Sequence, residues 1–163
     1  MDIHAVHRLA IILHAVTSTI CSLAGLVLVV STRYATDRRL FAVYWWMLVG
    51  MVLSLVGAIV AYWNVYTPGS RLTFSGLFLL SLYMVYRARC ARRVLDERPE
   101  GWRRDYIEHI GFTLISFFEG LVIVAILNVG GAIWLVVLVA ALGIVVGRYL
   151  LGLAERRAMD APT

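Results

Sequence analysis

Five long apolar runs, parted by short charged segments, limit what this chain can fold into. They cover residues 9–30, 41–63, 72–86, 107–127 and 131–153. A helix crossing the ~30 Å hydrocarbon layer of a bilayer needs about 20 apolar residues. Four runs reach that length, and the third is extended at its far end by side chains that can snorkel to the interface. Hydrophobic residues make up 61% of the 163, against about 45–50% in a soluble domain, so the lipid bilayer is the expected solvent. The length allows one domain, residues 1–163, and the pattern predicts an all-α bundle of five transmembrane helices. Pro68-Gly69 and Gly130-Gly131 read as turns in the second and fourth connections.

Arginine orients the bundle. The fifteen basic residues are all Arg. The first connection holds Arg33, Arg38 and Arg39, and the segment 87–105, read as the third loop, holds Arg87, Arg89, Arg92, Arg93, Arg98, Arg103 and Arg104. The C-terminal end holds Arg148, Arg156 and Arg157. With five spans these thirteen share one side, and only Arg8 and Arg71 lie on the other. Cytoplasmic loops carry the excess of Arg, which places the N-terminus outside, the C-terminus in the cytoplasm, and the protein in the inner (plasma) membrane. The same placement accounts for the net charge of +5 without a nucleic-acid partner. Tyr62, Trp63 and Tyr66 near one interface, and Tyr44, Trp45 and Trp46 near the other, read as aromatic belts. The first run is too long for a signal-peptide core. Cys21 and Cys90 form neither a disulfide framework nor a CxxC pair.

Lipid offers no hydrophobic drive between helices, so small residues that permit close approach matter. Gly50, Ser54, Gly57 and Ala61 in the second span, and Ala140, Gly143 and Gly147 in the fifth, have that spacing. Two helices also carry polar stripes. At 100° per residue His7, His14, Ser18, Cys21 and Gly25 fall within about 60°, with His4 at the edge. This stripe should face other helices, because lipid-facing polar groups are costly. On the fourth span Glu108 and Glu119 lie three turns apart, with His109, Thr113, Ser116 and Gly120 beside them. Glu108 and His109 belong to the interface, where solvent, Arg148 or an arginine of the third loop can meet them.

Glu119 lies ~18 Å from the cytoplasmic start of its helix, near the membrane centre. An acidic residue there costs roughly 2.5–3.5 kcal/mol, so it is protonated, paired or beside water. His14 is the natural partner, and His14, Glu119, Ser18 and Ser116 together make a candidate ligand or proton site. His4, His7 and His14 are candidate metal ligands, since imidazole suits Zn, Cu and Fe. His7 and His14 are ~10 Å apart along the helix, so a shared ion would need another helix between them. A haem held by His14 is the second cofactor reading.

His14, Gly25, Tyr44, Met47, Leu82, Tyr83, Arg87 and Ala88 resemble the pattern of an uncharacterised bacterial family of small multi-span membrane proteins with a His in the first span. The resemblance covers residues 10–105. It implies a membrane bundle and no particular activity. Three functions are open on the residues: transport or handling of a proton, ion or small ligand through a buried His/Glu site; a haem- or metal-binding redox protein; and an accessory subunit of a larger membrane complex or homo-oligomer. No phosphate-binding Gly-rich loop, HExxH or Ser-His-Asp spacing points to an enzyme. The orientation has a direct test: an impermeant reagent applied outside intact cells leaves residues 87–105 unlabelled and reaches them only after permeabilisation.

Overall fold

A computed structural model describes residues 3–31, 36–130 and 133–160; within the helices, the side chains of residues 127, 128, 133, 136, 137, 140, 154, 155 and 157–160 are not described. The chain forms five helices, α1 (Ile3–Val30), α2 (Arg38–Tyr62), α3 (Pro68–Glu97), α4 (Trp102–Asn128) and α5 (Ile133–Asp160), and no strand among the described residues. Three are long and apolar enough to cross a membrane: α1, α2 and α4. A shorter apolar stretch, Ala141–Leu153, lies in α5. α3 has the length, at 30 residues, but the arginines of its second half lower its hydropathy.

The helix ends follow local chemistry. The Asp37 carboxylate accepts from Arg39 N and Leu40 N to cap α2. Thr67 caps α3 through Ser70 N, and Pro68 sits at its first position, where the missing N–H costs nothing. Pro68-Gly69 therefore opens a helix; the turn itself is Trp63–Tyr66. The larger correction concerns residues 87–105. They are not a loop: α3 continues to Glu97, and only residues 98–101 separate it from α4. Arginine is a good helix former, and Arg92–Asp96 and Arg93–Glu97 ion pairs at i, i+4 support the extension. Arg98 then ends the helix in the left-handed region, at φ 46°, with Gly101 at φ 73°. Gly130, at φ 72°, turns the chain between α4 and α5; Gly131 lies outside the described residues.

α1 packs along α2, and α4 lies among α1, α3 and α5. The core occupies one end of the bundle: Cys21, Ala24 and Leu28 of α1, Phe41, Tyr44 and Leu48 of α2, Met84, Ala88, Ala91 and Leu95 of α3, Tyr106 and Ile110 of α4, and Leu151 of α5. This is the end that carries the arginines. Tyr44 is a correction to the belt reading. It is fully buried, while its neighbour Trp46 is 65% exposed. The spacing of Phe41, Tyr44, Leu48 and Met51 is a helix stripe, and Tyr44 belongs to it.

α4 and α5 meet in three layers four residues apart: Gly111 with Leu151, Ile115 with Gly147, and Glu119 with Gly143. Each layer sets a glycine against a large side chain. A Cβ on Gly147 would stand 2.6 Å from Ile115 Cγ1, a distance no packed pair tolerates. Gly50 and Gly57 of α2 do the same work more loosely against Thr17 and Ala10 of α1. The Ala140 side chain lies outside the described residues. Gly147→Ala is therefore expected to destabilise the bundle by about 1–3 kcal/mol through overpacking. Gly152→Ala, on the same helix with nothing within 4 Å among the described residues, should be neutral or stabilising; thermal unfolding in detergent separates the two.

Candidate functional site

The polar stripe of α1 turns toward α2. His7 Nδ1 lies 3.1 Å from the Ala58 carbonyl, His14 Nδ1 3.1 Å from the Met51 carbonyl, and Cys21 Sγ donates to the Tyr44 carbonyl at 3.4 Å. The three donors are seven residues apart, and so are their acceptors, as in an antiparallel pair with a heptad seam. A carbonyl only accepts, so the proton sits on Nδ1 in both histidines, and Nε2 carries the lone pair when the ring is neutral. Ser18 donates to the His14 carbonyl on its own helix at 2.7 Å. At the α1 N-terminal end His4 Nδ1 hydrogen-bonds the Tyr62 hydroxyl, and His7 stacks on the Tyr62 ring at 3.7 Å. Tyr66 and Phe74 extend this aromatic group, with ring centroids 4.8 Å apart. Burial, and then the neighbouring Tyr62, hold the Tyr66 phenol above its ordinary range.

His14 and Glu119 do not pair. Two geometric facts keep them apart. His14 is turned to α2, whereas Glu119 lies in the α4–α5 seam, where a Cβ on Gly143 would stand 3.1 Å from Glu119 Oε1. Their depths also differ. α2 and α4 run parallel, with Phe41 beside Tyr106 and Tyr44 bonded to Thr113, so α1 runs against α4. Gly25 meets Leu114, which brings Glu119 level with residue 20, six residues or ~9 Å from His14. Ser116, also on α4, is buried at 5% exposure. The structure thus disperses the four residues of the candidate site: His14 and Ser18 on the α1–α2 side, Glu119 in the α4–α5 seam.

Glu119 is left in an unusual state. Its Oε1 is buried with no hydrogen-bond partner among the described residues. From Ile133 to Gly147, α5 has no side chain with a polar atom except Trp134. Glu108, by contrast, is paired: its Oε1 takes Arg87 Nη2 at 3.2 Å, and its carbonyl takes the same nitrogen at 3.3 Å. The Arg87 side chain is only 15% exposed and lies over the Phe112 ring at 5.1 Å. His109 Nδ1 is buried and without a partner. Among the described residues no three His, Cys, Asp or Glu side chains converge as a metal site. His4, His7 and His14 are strung along α1, each directing Nδ1 at α2.

Two polar contacts were not foreseen from sequence. Thr113 uses its proton on the Ile110 carbonyl at 2.7 Å, so Tyr44 is the donor in the 2.7 Å bond between Tyr44 and Thr113 that ties α2 to α4. Trp102, at the α3–α4 turn, carries the guanidinium groups of Arg98 and Arg103 over its ring at 5.5 and 5.7 Å. No protein-family model, curated protein or solved structure matches this chain.

The seam of α1 and α2 predicts the size of its own loss. Interhelical side-chain hydrogen bonds in membranes average about 0.6 kcal/mol and reach about 1.7. Tyr44→Phe, His7→Phe and His14→Phe should each destabilise by about that amount. His7 and His14 are two turns apart, so the double variant should lose about the sum, read by equilibrium unfolding in mixed micelles.

Proposed function

We propose that this chain is a multi-pass protein of the plasma membrane, crossing five times with its N-terminus outside, and that it handles a proton or small cation at Glu119 in the α4–α5 seam. The arginine distribution supports the topology. The first 19 residues of α3, Pro68–Tyr86, extend ~28 Å, enough for the hydrocarbon layer, and the arginine-bearing remainder then stands in the cytoplasm. α5, with 28 residues, is long enough to return.

One observation carries the functional reading: a carboxyl oxygen near the middle of an apolar helix, buried and without a hydrogen-bond partner. Charge is expensive at that depth, and ionisable residues inside a membrane are functional by default because nothing else repays their cost. An acid against glycine, in a seam otherwise packed by Ile115 and Leu151, adds nothing to packing that an apolar residue would not do better. His7 and His14 fit a structural part, since their Nδ1 protons are committed to carbonyls of α2. Glu119 is the acid set within the α4–α5 seam.

In proteoliposomes with an internal pH-sensitive dye, the wild-type protein should dissipate an imposed gradient. Glu119→Gln should reduce the rate to that of empty vesicles, and Glu119→Asp should keep part of it. A Glu119→Gln protein that folds normally and matches the wild-type rate would overturn the reading.

A further inference from the structure

The outward face of α3 changes character along its length. Leu72, Leu79 and Leu82 are exposed, then Tyr83 and Tyr86, whose rings stack at 5.9 Å, then Arg89. Apolar, aromatic and cationic side chains in that order mark the passage from hydrocarbon through the interface to the headgroups. The rise of the helix puts a scale on it. Arg89 stands one turn past Tyr86, ~4.5 Å along the axis, and the headgroup layer is roughly 5–8 Å deep on each side of the hydrocarbon. Arg98 stands ~18 Å past Tyr86 by the same rise, beyond that layer.

Arg89 also differs from its neighbours in what it holds. Arg87 gives Nη2 to Glu108 and is turned into α4. Arg38 and Arg92 pair with Asp96, and Arg93 with Glu97. Arg89 is exposed, and among the described residues no carboxylate or carbonyl accepts from it. Its guanidinium lies over the Trp45 ring of α2, 5.8 Å from the centroid. A guanidinium carries five N–H donors, and a contact with a ring does not satisfy them as an oxygen acceptor would. Phosphate is the acceptor that suits them, because two of its oxygens take parallel N–H bonds. Charge decides which phosphate. Residues 36–40 and 87–108 hold nine arginines and six acids, so the ammonium of a zwitterionic headgroup is disfavoured and a headgroup of net negative charge is drawn in.

We infer that Arg89, backed by Trp45 and with Tyr86 one turn below it, binds the phosphate of an anionic phospholipid. The lipid lies along the outward face of α3 at the arginine end, its headgroup at Arg89 and its chains beside Leu82 and Leu79. A lipid is the occupant, and not free phosphate, because the face that carries Arg89 continues into exposed leucines. The site rests on the crossing of the membrane by α3 proposed above and is independent of the chemistry of Glu119.

Native mass spectrometry of the purified protein, offered phosphatidylglycerol and phosphatidylcholine with the same chains, reads the preference. The wild-type protein should retain phosphatidylglycerol over phosphatidylcholine. Arg89→Ala should lower that preference about fivefold, the factor for one arginine at an anionic surface, and Arg89→Lys should keep part of it. Arg103→Ala removes the same charge at the α3–α4 turn and should leave the preference unchanged. Equal retention of the two lipids by the wild-type protein would overturn the site. So would an equal loss in Arg89→Ala and Arg103→Ala, because the attraction would then belong to the whole arginine end. Displacement of the lipid by millimolar inorganic phosphate would overturn the lipid as occupant. A separate arm tests the crossing. In sealed vesicles Leu79→Cys should resist an aqueous maleimide from either side, with the modified residue located by peptide mass spectrometry. Modification at position 79 would overturn the crossing of α3, and with it the placement of the lipid.

Discussion

Where Gly111, Gly143 and Gly147 face Leu151, Glu119 and Ile115, the missing side chains let α4 and α5 approach until backbone and side chain touch. In lipid this closeness is the main source of helix association, because burying apolar surface against apolar surface wins nothing from the solvent. The rest of the arrangement depends on it. α5 packs chiefly on α4, so these layers hold it in place. The same layers settle the position of the acid, because the third of them is Glu119 itself.

α1 and α2 are joined by a different device. Their glycine contacts are looser, and directionality comes from side-chain donors reaching across to backbone carbonyls. A helix carbonyl already accepts one hydrogen bond within the helix, but it has a second lone pair. His7, His14 and Cys21 use that second position at Ala58, Met51 and Tyr44. The seven-residue repeat on both helices means that a slip by one residue would unmake all three bonds together. Residues that look like ligands on one helix are therefore a register device between two.

The buried core gathers toward the arginine end, which gives the bundle a polarity beyond that of its charges. Tyr44, Thr113, Tyr106 and Ile110 close the core near the arginines. Glu119 lies beyond that core, in the α4–α5 seam.

Much of the helical architecture was legible in the residues alone. Hydrophobic run length locates helices because hydrocarbon demands it, and among the described residues each of the five apolar runs falls largely within one helix. The polar stripe of α1 was visible at helical period, since it depends only on rotation along one helix, whereas α4 begins at Trp102 and sets Glu119 further from its helix start than the apolar run alone indicates. The extension of α3 through Arg92 and Arg93 was hidden, because arginine density resembles a solvated loop until i, i+4 partners and a left-handed cap are counted. Tyr44 was hidden among Trp45 and Trp46, which differ from it in azimuth more than in chemistry. What tertiary structure alone decided was which helix each polar face meets. A sequence states angle and depth relative to its own axis. The partner is chosen by contacts between helices, and here glycine layers gave Glu119 to α5 while a heptad seam gave His14 to α2.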